Sequence, residues 1–180
     1  MKILGIDPGS VRVGYGLINQ EKNDLKFIRA GLLKISAKDK NRRLLDLEKS
    51  FSRLLKKERP DFVALEKLYF VKNQKTALEV GQSRGVLVLL ILKNKLPLIE
   101  ISPSEAKLTV SGDGRASKAA IAKMVGYYLK IDTAKKIDDV TDALALAIAA
   151  GNMVNNPSFA SQSFGEISLP KPNPRHLDRY

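Results

Sequence analysis

The chain has 180 residues, a length that suits one domain with a sizeable core. Its 31 Lys and Arg against 19 Asp and Glu give a formal net charge of +12, which points to a polyanionic partner, nucleic acid before membrane. With no cysteine and one histidine, His176, it lacks the means for disulfides, thiolate metal sites, a cysteine nucleophile or a multi-histidine zinc site. Buried chemistry is left to carboxylates, lysines and hydroxyls. Asp7-Pro8 follows Met1 too soon for a signal peptide, and apolar runs such as Gly85 to Leu92 are too short to span a bilayer. These features predict a soluble basic protein of a reducing compartment.

Ile3-Leu4-Gly5-Ile6 is a nearly continuous apolar run, halted by Asp7-Pro8-Gly9-Ser10. It predicts a central strand covered on both faces and ending at Asp7. Val11, Val13, Tyr15 and Leu17 alternate with smaller or polar residues and predict a half-buried second strand. Glu21 to Asp24 reads as a polar turn, and Leu25 to Leu33 as the third strand of an antiparallel meander. From Asn41 to Lys57 the period becomes helical, with Leu44, Leu47, Phe51, Leu54 and Leu55 on one face. Phe62-Val63-Ala64-Leu65 predicts another buried strand, ending at Glu66. Strand, helix and strand in that order are what a parallel crossover needs.

Asn73 to Asn94 predicts a long helix, apolar on most sides from Val86 to Leu92 and therefore buried or interface-forming. Gly81 and Gly85, one turn apart, would permit close backbone approach. Pro97 to Ile101 predicts a fifth strand. Ser102-Pro103-Ser104-Glu105 has the pattern of a capping box with proline at the first helical position. Gly112-Asp113-Gly114 ends that short helix. Ser117 caps the next, where Ile121, Met124, Val125, Tyr128 and Leu129 share a face. A last helix runs from about Asp139 to Val154 and stops at Asn155-Asn156-Pro157. Beyond it the composition turns to Ser, Pro, Asn and Gln. This predicts one domain over residues 1–156 and a mobile polar tail over 157–180.

Asp7 and Glu66 each end an apolar strand. On parallel neighbours, both carboxylates would share the carboxyl-end edge where sites form in open α/β sheets. Asp139 and Asp142 are three apart at a helix start and share a face. Singly, each acid has a plainer reading. Asp7 suits a turn before Pro-Gly, Glu66 a surface pair with Lys67, and Asp138, Asp139 and Asp142 a helix cap and dipole. Jointly they ask for more. Crowded carboxylates repel and burial raises their pKa, and hard divalent cations such as Mg²⁺ or Mn²⁺ remove both penalties. Two such ions about 4 Å apart can activate water and stabilise the leaving oxygen of a phosphodiester.

Gly5-Ile6-Asp7-Pro8-Gly9-Ser10, followed by Gly14-Tyr15-Gly16, resembles the opening motif of the RuvC family of Holliday-junction resolvases. Glu66 and the segment Lys72-Asn73 to Gly81-Gln82-Ser83-Arg84-Gly85 extend the likeness. Pro103-Ser104 with Lys107, then Gly112 to Lys118, then Asp139-Val140-Thr141-Asp142-Ala143-Leu144-Ala145 complete it, in order over about residues 1–153. The resemblance implies an α/β, ribonuclease H-like fold. Its five-stranded mixed sheet joins an antiparallel meander to parallel strands and is flanked by helices. The resemblance also implies a homodimer that cuts two opposed strands of a four-way DNA junction symmetrically. Two Mg²⁺ or Mn²⁺ ions per active site would serve, and the nicks would carry 5′-phosphate and 3′-hydroxyl ends. Such an enzyme acts in recombination and repair with the RuvA–RuvB branch-migration machine, in the bacterial cytoplasm at the nucleoid.

The family acids fall on Asp7, Glu66, Asp139 and Asp142, with Asp138 as a neighbouring supporting or capping carboxylate. Lys107 and Lys118 match basic positions near the scissile strand. Arg115 lies between them in a glycine-rich loop suited to phosphate. Tyr69 or Phe70 stands where the family has an aromatic able to stack on an exposed base. Arg84 is a further candidate for the DNA surface. Three other readings compete. A YqgF-type ribonuclease shares the acidic opening but needs neither the 73–85 segment nor the Lys107 to Lys118 region. An actin-like ATPase or sugar kinase needs a second lobe that 180 residues cannot hold. A non-catalytic junction-binding protein has no need of all four acids.

Overall fold

The computed structural model describes residues 1–22, 24–68, 74–133 and 137–155, with backbone alone at 74–76. The meander is β1 (Lys2–Asp7), β2 (Gly14–Glu21) and β3 (Asp24–Leu32). Helix α1 (Lys40–Glu58) leads to β4 (Phe62–Glu66), and α2 (Gln74–Lys93) leads to β5 (Leu98–Ile101). Helices α3 (Pro103–Ser111), α4 (Lys118–Leu129) and α5 (Asp138–Asn155) follow. The sheet order is β3-β2-β1-β4-β5. β2 is antiparallel to β1 and β3, and β4 is parallel to β1 and β5, as the meander and crossover patterns predict.

Both faces of the sheet are covered, which is why β1 and β4 read as unbroken apolar runs. Ile3, Ile18, Phe62, Ala64 and Ile99 pack with α3, α4 and α5. Leu4, Ile6, Leu17, Val63 and Leu65 point the other way and pack with α1 and α2. Strand alternation thus divides one run between two cores. In α1, Leu47, Phe51, Leu54 and Leu55 form the buried stripe, with Leu44 at its half-buried margin.

Local signals are satisfied where they were strongest. The Ser102 hydroxyl accepts the Glu105 N–H at 3.1 Å, and the Glu105 carboxylate accepts the Ser102 N–H at 2.6 Å. Gly112 closes α3 with φ at 78°, a left-handed conformation that suits glycine. Ser117 accepts the Ala120 N–H at 3.2 Å and starts α4.

Two expectations need correction. The second strand starts at Gly14, and Val11 and Val13 belong to the preceding loop. The ladder ends at the Asp7–Gly14 pair because Pro8 has no N–H to continue it. Nor is β2 half-buried: Gly14, Gly16, Leu17, Ile18 and Gln20 are all buried, since helices cover both faces. The second correction concerns the glycines of α2, a helix whose apolar residues are divided between core and surface. Its Leu87, Leu90 and Ile91 are buried, but Leu78, Leu89 and Leu92 are 67%, 52% and 61% exposed. A Cβ on Gly81 or Gly85 would meet nothing within 4 Å, so among the described residues no backbone approaches them. No described helix is long and apolar enough to cross a membrane. The tail expected at 157–180 lies outside the described residues.

Candidate active site

The register pairs Ile6 of β1 with Leu65 of β4, so the next residue on each parallel strand is an acid. Asp7 and Glu66 therefore stand side by side at one sheet edge, and their carboxyl groups share a hydrogen bond. The other two acids arrive on α5, which lies on the β1–β2 face at very short range. A Cβ on Gly14 would sit 2.0 Å from the Asp139 carbonyl oxygen. One on Gly5 would sit 2.0 Å from the Ala143 carbonyl, and one on Gly16 would lie 2.7 Å from the Leu144 side chain. Glycine at these positions lets the helix backbone touch the strands. Gly14 is the register partner of Asp7, so this contact sets the first turn of α5 beside the Asp7 strand end.

The resulting crowd is electrostatically costly. Burial pushes the Asp7 carboxyl up to about 9, reinforced by the hydrogen bond to Glu66 and by the charges of Glu66, Asp142 and Asp139. Burial also raises Asp142, against the pull of the Lys118 ammonium. Two side-chain cations stand against the α5 acids. Arg12 Nε is 3.1 Å from Asp139 Oδ2. Lys118 Nζ is 3.5 Å from Asp142 Oδ2 and 3.3 Å from Asp138 Oδ2. The Arg12 N–H is not aimed along its contact, and Asp139 Oδ2 is buried without a hydrogen bond.

A buried carboxylate oxygen without a donor, beside the raised Asp7 and Asp142 carboxyls, fits a hard divalent cation. Among the described residues, however, no three such side chains are drawn close enough to be ligands of one ion as they stand. Asp7, Glu66, Asp139 and Asp142 are neighbours coupled through charge and one hydrogen bond. They are not a closed ligand set.

The basic candidates separate. Lys107 and Lys118 line one cavity of about 310 Å³ together with Glu66 and Asp142. A second cavity, of about 650 Å³, shares Lys118 and Asp142 and extends past Asp138 to Lys123 and Asp132. Arg84 sits behind the cluster. Its Nε donates to the Glu66 carbonyl oxygen at 3.4 Å, and its guanidinium pairs with Glu100. Arg115 is exposed in the α3–α4 loop, where its backbone N–H donates to Asp113 Oδ1 at 2.8 Å. Tyr69 and Phe70 lie outside the described residues. Arg12 had no place among the sequence candidates. Its one sequence signal is a basic residue in the loop that follows Asp7-Pro8-Gly9.

The family model for crossover junction endodeoxyribonuclease RuvC matches residues 3–150. The chain belongs to the RuvC family. The RuvC crossover junction endodeoxyribonuclease of Petrotoga mobilis is 40% identical over 153 residues, covering 84% of this chain and 94% of that one. Its counterpart in Ruminiclostridium cellulolyticum is 42% identical over 153 residues, covering 84% and 92%. Among solved structures, Thermus thermophilus RuvC matches with a TM-score of 0.79 at 25% identity, over 87% of this chain and 97% of that one. T. thermophilus RuvC in complex with a Holliday junction substrate shares the fold, with a TM-score of 0.81 at 24% identity over 88% and 97%. The ribonuclease H-like fold expected from the RuvC motifs is thus the fold observed.

Proposed function

We propose that this protein is a Holliday-junction-resolving endonuclease in which Asp7, Glu66, Asp139 and Asp142 hold the catalytic metal. The observation that carries this reading is the meeting of four carboxylates at one sheet edge beside Lys107 and Lys118, in a chain of the RuvC family. Two Mg²⁺ or Mn²⁺ ions, when bound, supply an activated water and charge on the leaving oxygen. The four acids position that charge. Lys107 and Lys118 hold the scissile phosphate from the cavity wall and steady its growing negative charge. Cutting the bond to the 3′ oxygen leaves 5′-phosphate and 3′-hydroxyl ends. Tyr69 or Phe70 stacks on a base at the junction centre, and Arg115 contacts phosphate. Arg84 supports Glu66 from behind, at the border of the DNA surface. Residues 1–156 form the nuclease and 157–180 a polar tail. The enzyme acts in the bacterial cytoplasm at the nucleoid, with a RuvA–RuvB branch-migration complex. Nicking of a synthetic four-way junction in Mg²⁺, compared with linear duplex and structured RNA, tests the reading. Equal cutting of all three, or none without a junction-specific product, would overturn it.

Binding is expected to weaken steeply with salt, because a net charge of +12 implies several phosphate contacts that release counterions. A log–log affinity slope near zero would contradict this. Lys107→Ala and Lys118→Ala should slow nicking by at least about tenfold. Lys49→Ala, on the exposed side of α1, should leave it unchanged. Equal effects at all three positions would remove the case for the first two.

Symmetric resolution calls for two subunits facing the two-fold axis of the junction. The exposed stripe of Leu78, Leu89 and Leu92 beside the open Gly81 and Gly85 suits self-association through α2. Leu89→Glu is expected to shift sedimentation from dimer to monomer. On a plasmid with an extruded cruciform, it should yield nicked circles where the parent protein yields linear product. Linear product from a sedimenting monomer would sink this arrangement.

A further inference from the structure

Arg12 lies in the loop between β1 and β2, which folds back on itself. A Cβ on Gly9 would sit 2.0 Å from the Arg12 carbonyl oxygen. That turn brings Arg12 over the acid edge, where Nε stands 3.1 Å from Asp139 Oδ2. The two ends of the pair differ. The Arg12 side chain is 60% exposed and the Asp139 side chain 27%. A guanidinium held at one end in water, without an aligned hydrogen bond, gains little from the contact. It neutralises Asp139 without fixing it. Lys118 neutralises Asp142 in the same way, whereas Asp7 and Glu66 meet only each other, through a hydrogen bond. Each α5 acid of the cluster therefore has a provisional counter-charge supplied by the chain itself, while Asp7 and Glu66 have none among the described residues.

We propose that Arg12 is a displaceable counter-ion of the acid cluster, a positioning residue that occupies Asp139 in the metal-free protein and passes to a DNA phosphate when a divalent ion takes its place. The inference rests on the reading of Asp139 as a metal ligand. Its chemistry follows from charge balance. A divalent ion binds an oxygen that Arg12 has already partly neutralised, so the arginine competes with the metal. Once displaced, the guanidinium remains tethered beside the metal with five donors and no acceptor, a group suited to a phosphate oxygen. Free protein thus avoids the repulsion of four bare carboxylates, and the same cation then serves the substrate.

The test uses the full chain and Mn²⁺ alone, by titration calorimetry without DNA. Arg12→Gln should bind Mn²⁺ about two- to fivefold more tightly than the parent protein, the scale of one exposed ion pair. Arg53→Gln, which removes the same charge from the exposed side of α1, should leave Mn²⁺ affinity unchanged. Arg12→Lys should restore the parent value. In Ca²⁺, junction binding by Arg12→Gln should weaken, with the salt slope shallower by about one unit. Unchanged or weaker Mn²⁺ binding by Arg12→Gln, or a tightening matched by Arg53→Gln, would overturn the competition. An unchanged salt slope would overturn the transfer to phosphate. If the parent protein itself bound no Mn²⁺, the metal reading of the cluster would fail first, so the two failures are distinguishable.

Discussion

Asp7→Asn is expected to reduce junction nicking on the order of 10³-fold or more while raising the thermal stability of the metal-free protein. Both effects have one cause. Burial pushes the Asp7 carboxyl up to about 9 from an ordinary value of 3.8, reinforced by its hydrogen bond to Glu66 and by the charges of the neighbouring acids. In the unfolded chain this acid ionises near its ordinary value. In the folded chain it keeps its proton to much higher pH. Stability must then fall as pH rises from about 4 toward 9, because over that range the folded state binds more protons than the unfolded one. Asparagine keeps the shape and removes the charge. At pH 7 without metal it should stabilise the fold by on the order of 2 kcal/mol and flatten the pH dependence. Junction affinity should persist, since it rests on basic residues elsewhere. Calorimetric melting in EDTA across pH 5 to 9, paired with a nicking assay in Mg²⁺, checks both halves. A variant that cut at the parent rate would end the metal reading of Asp7. One that melted lower than the parent at pH 7 would show that its carboxyl is not strained.

Gly14→Ala should be nearly as damaging without touching a carboxylate. The new Cβ would fall 2.0 Å from the Asp139 carbonyl oxygen, a backbone atom of α5 that cannot swing aside. The helix must retreat or the strand must bend. Either costs about 1–3 kcal/mol. The retreat would carry Asp139 and Asp142 away from Asp7 and Glu66. Misplacing catalytic groups by an ångström lowers rates by about 10²-fold. The comparison variant is Gly81→Ala, whose Cβ meets nothing within 4 Å. It should be neutral or slightly stabilising to the fold, because alanine is the better helix former. Similar melting temperatures for Gly14→Ala and the parent would show that the helix does not rest on that glycine.

The sheet edge was legible because two apolar runs end in an acid on either side of a crossover helix, whereas one such acid alone reads as a turn. Asp7 and Glu66 each close a strand buried on both faces, and the crossover pattern made those strands parallel. The α3 and α4 caps were equally readable, since serine, proline and glutamate act within four residues of themselves. Legibility failed where partners are distant in the chain. Nothing local marks Gly5, Gly14 and Gly16 as the floor beneath a helix that begins at residue 138. The Arg12–Asp139 contact spans the whole fold and is visible only once the helix is seated. Val11 and Val13 alternate as a strand would, but alternation cannot report that Pro8 has already ended the ladder. Gly81 and Gly85 suggested a close backbone approach, and among the described residues none occurs.

Because Asp139, Ala143 and Ala147 follow one another at four-residue spacing along the sheet contact, the acid cluster is split between two bodies. One is the pair of strand ends and the other is the rod of α5. The gap between its jaws is fixed by how thick the helix-on-sheet seam is. Each added methyl under α5 would open both far carboxylates together, as a shim opens a clamp. On the proposed reading of these acids as ligands, the small residues under α5 therefore limit the radius of cation that fits as strictly as the acids themselves do.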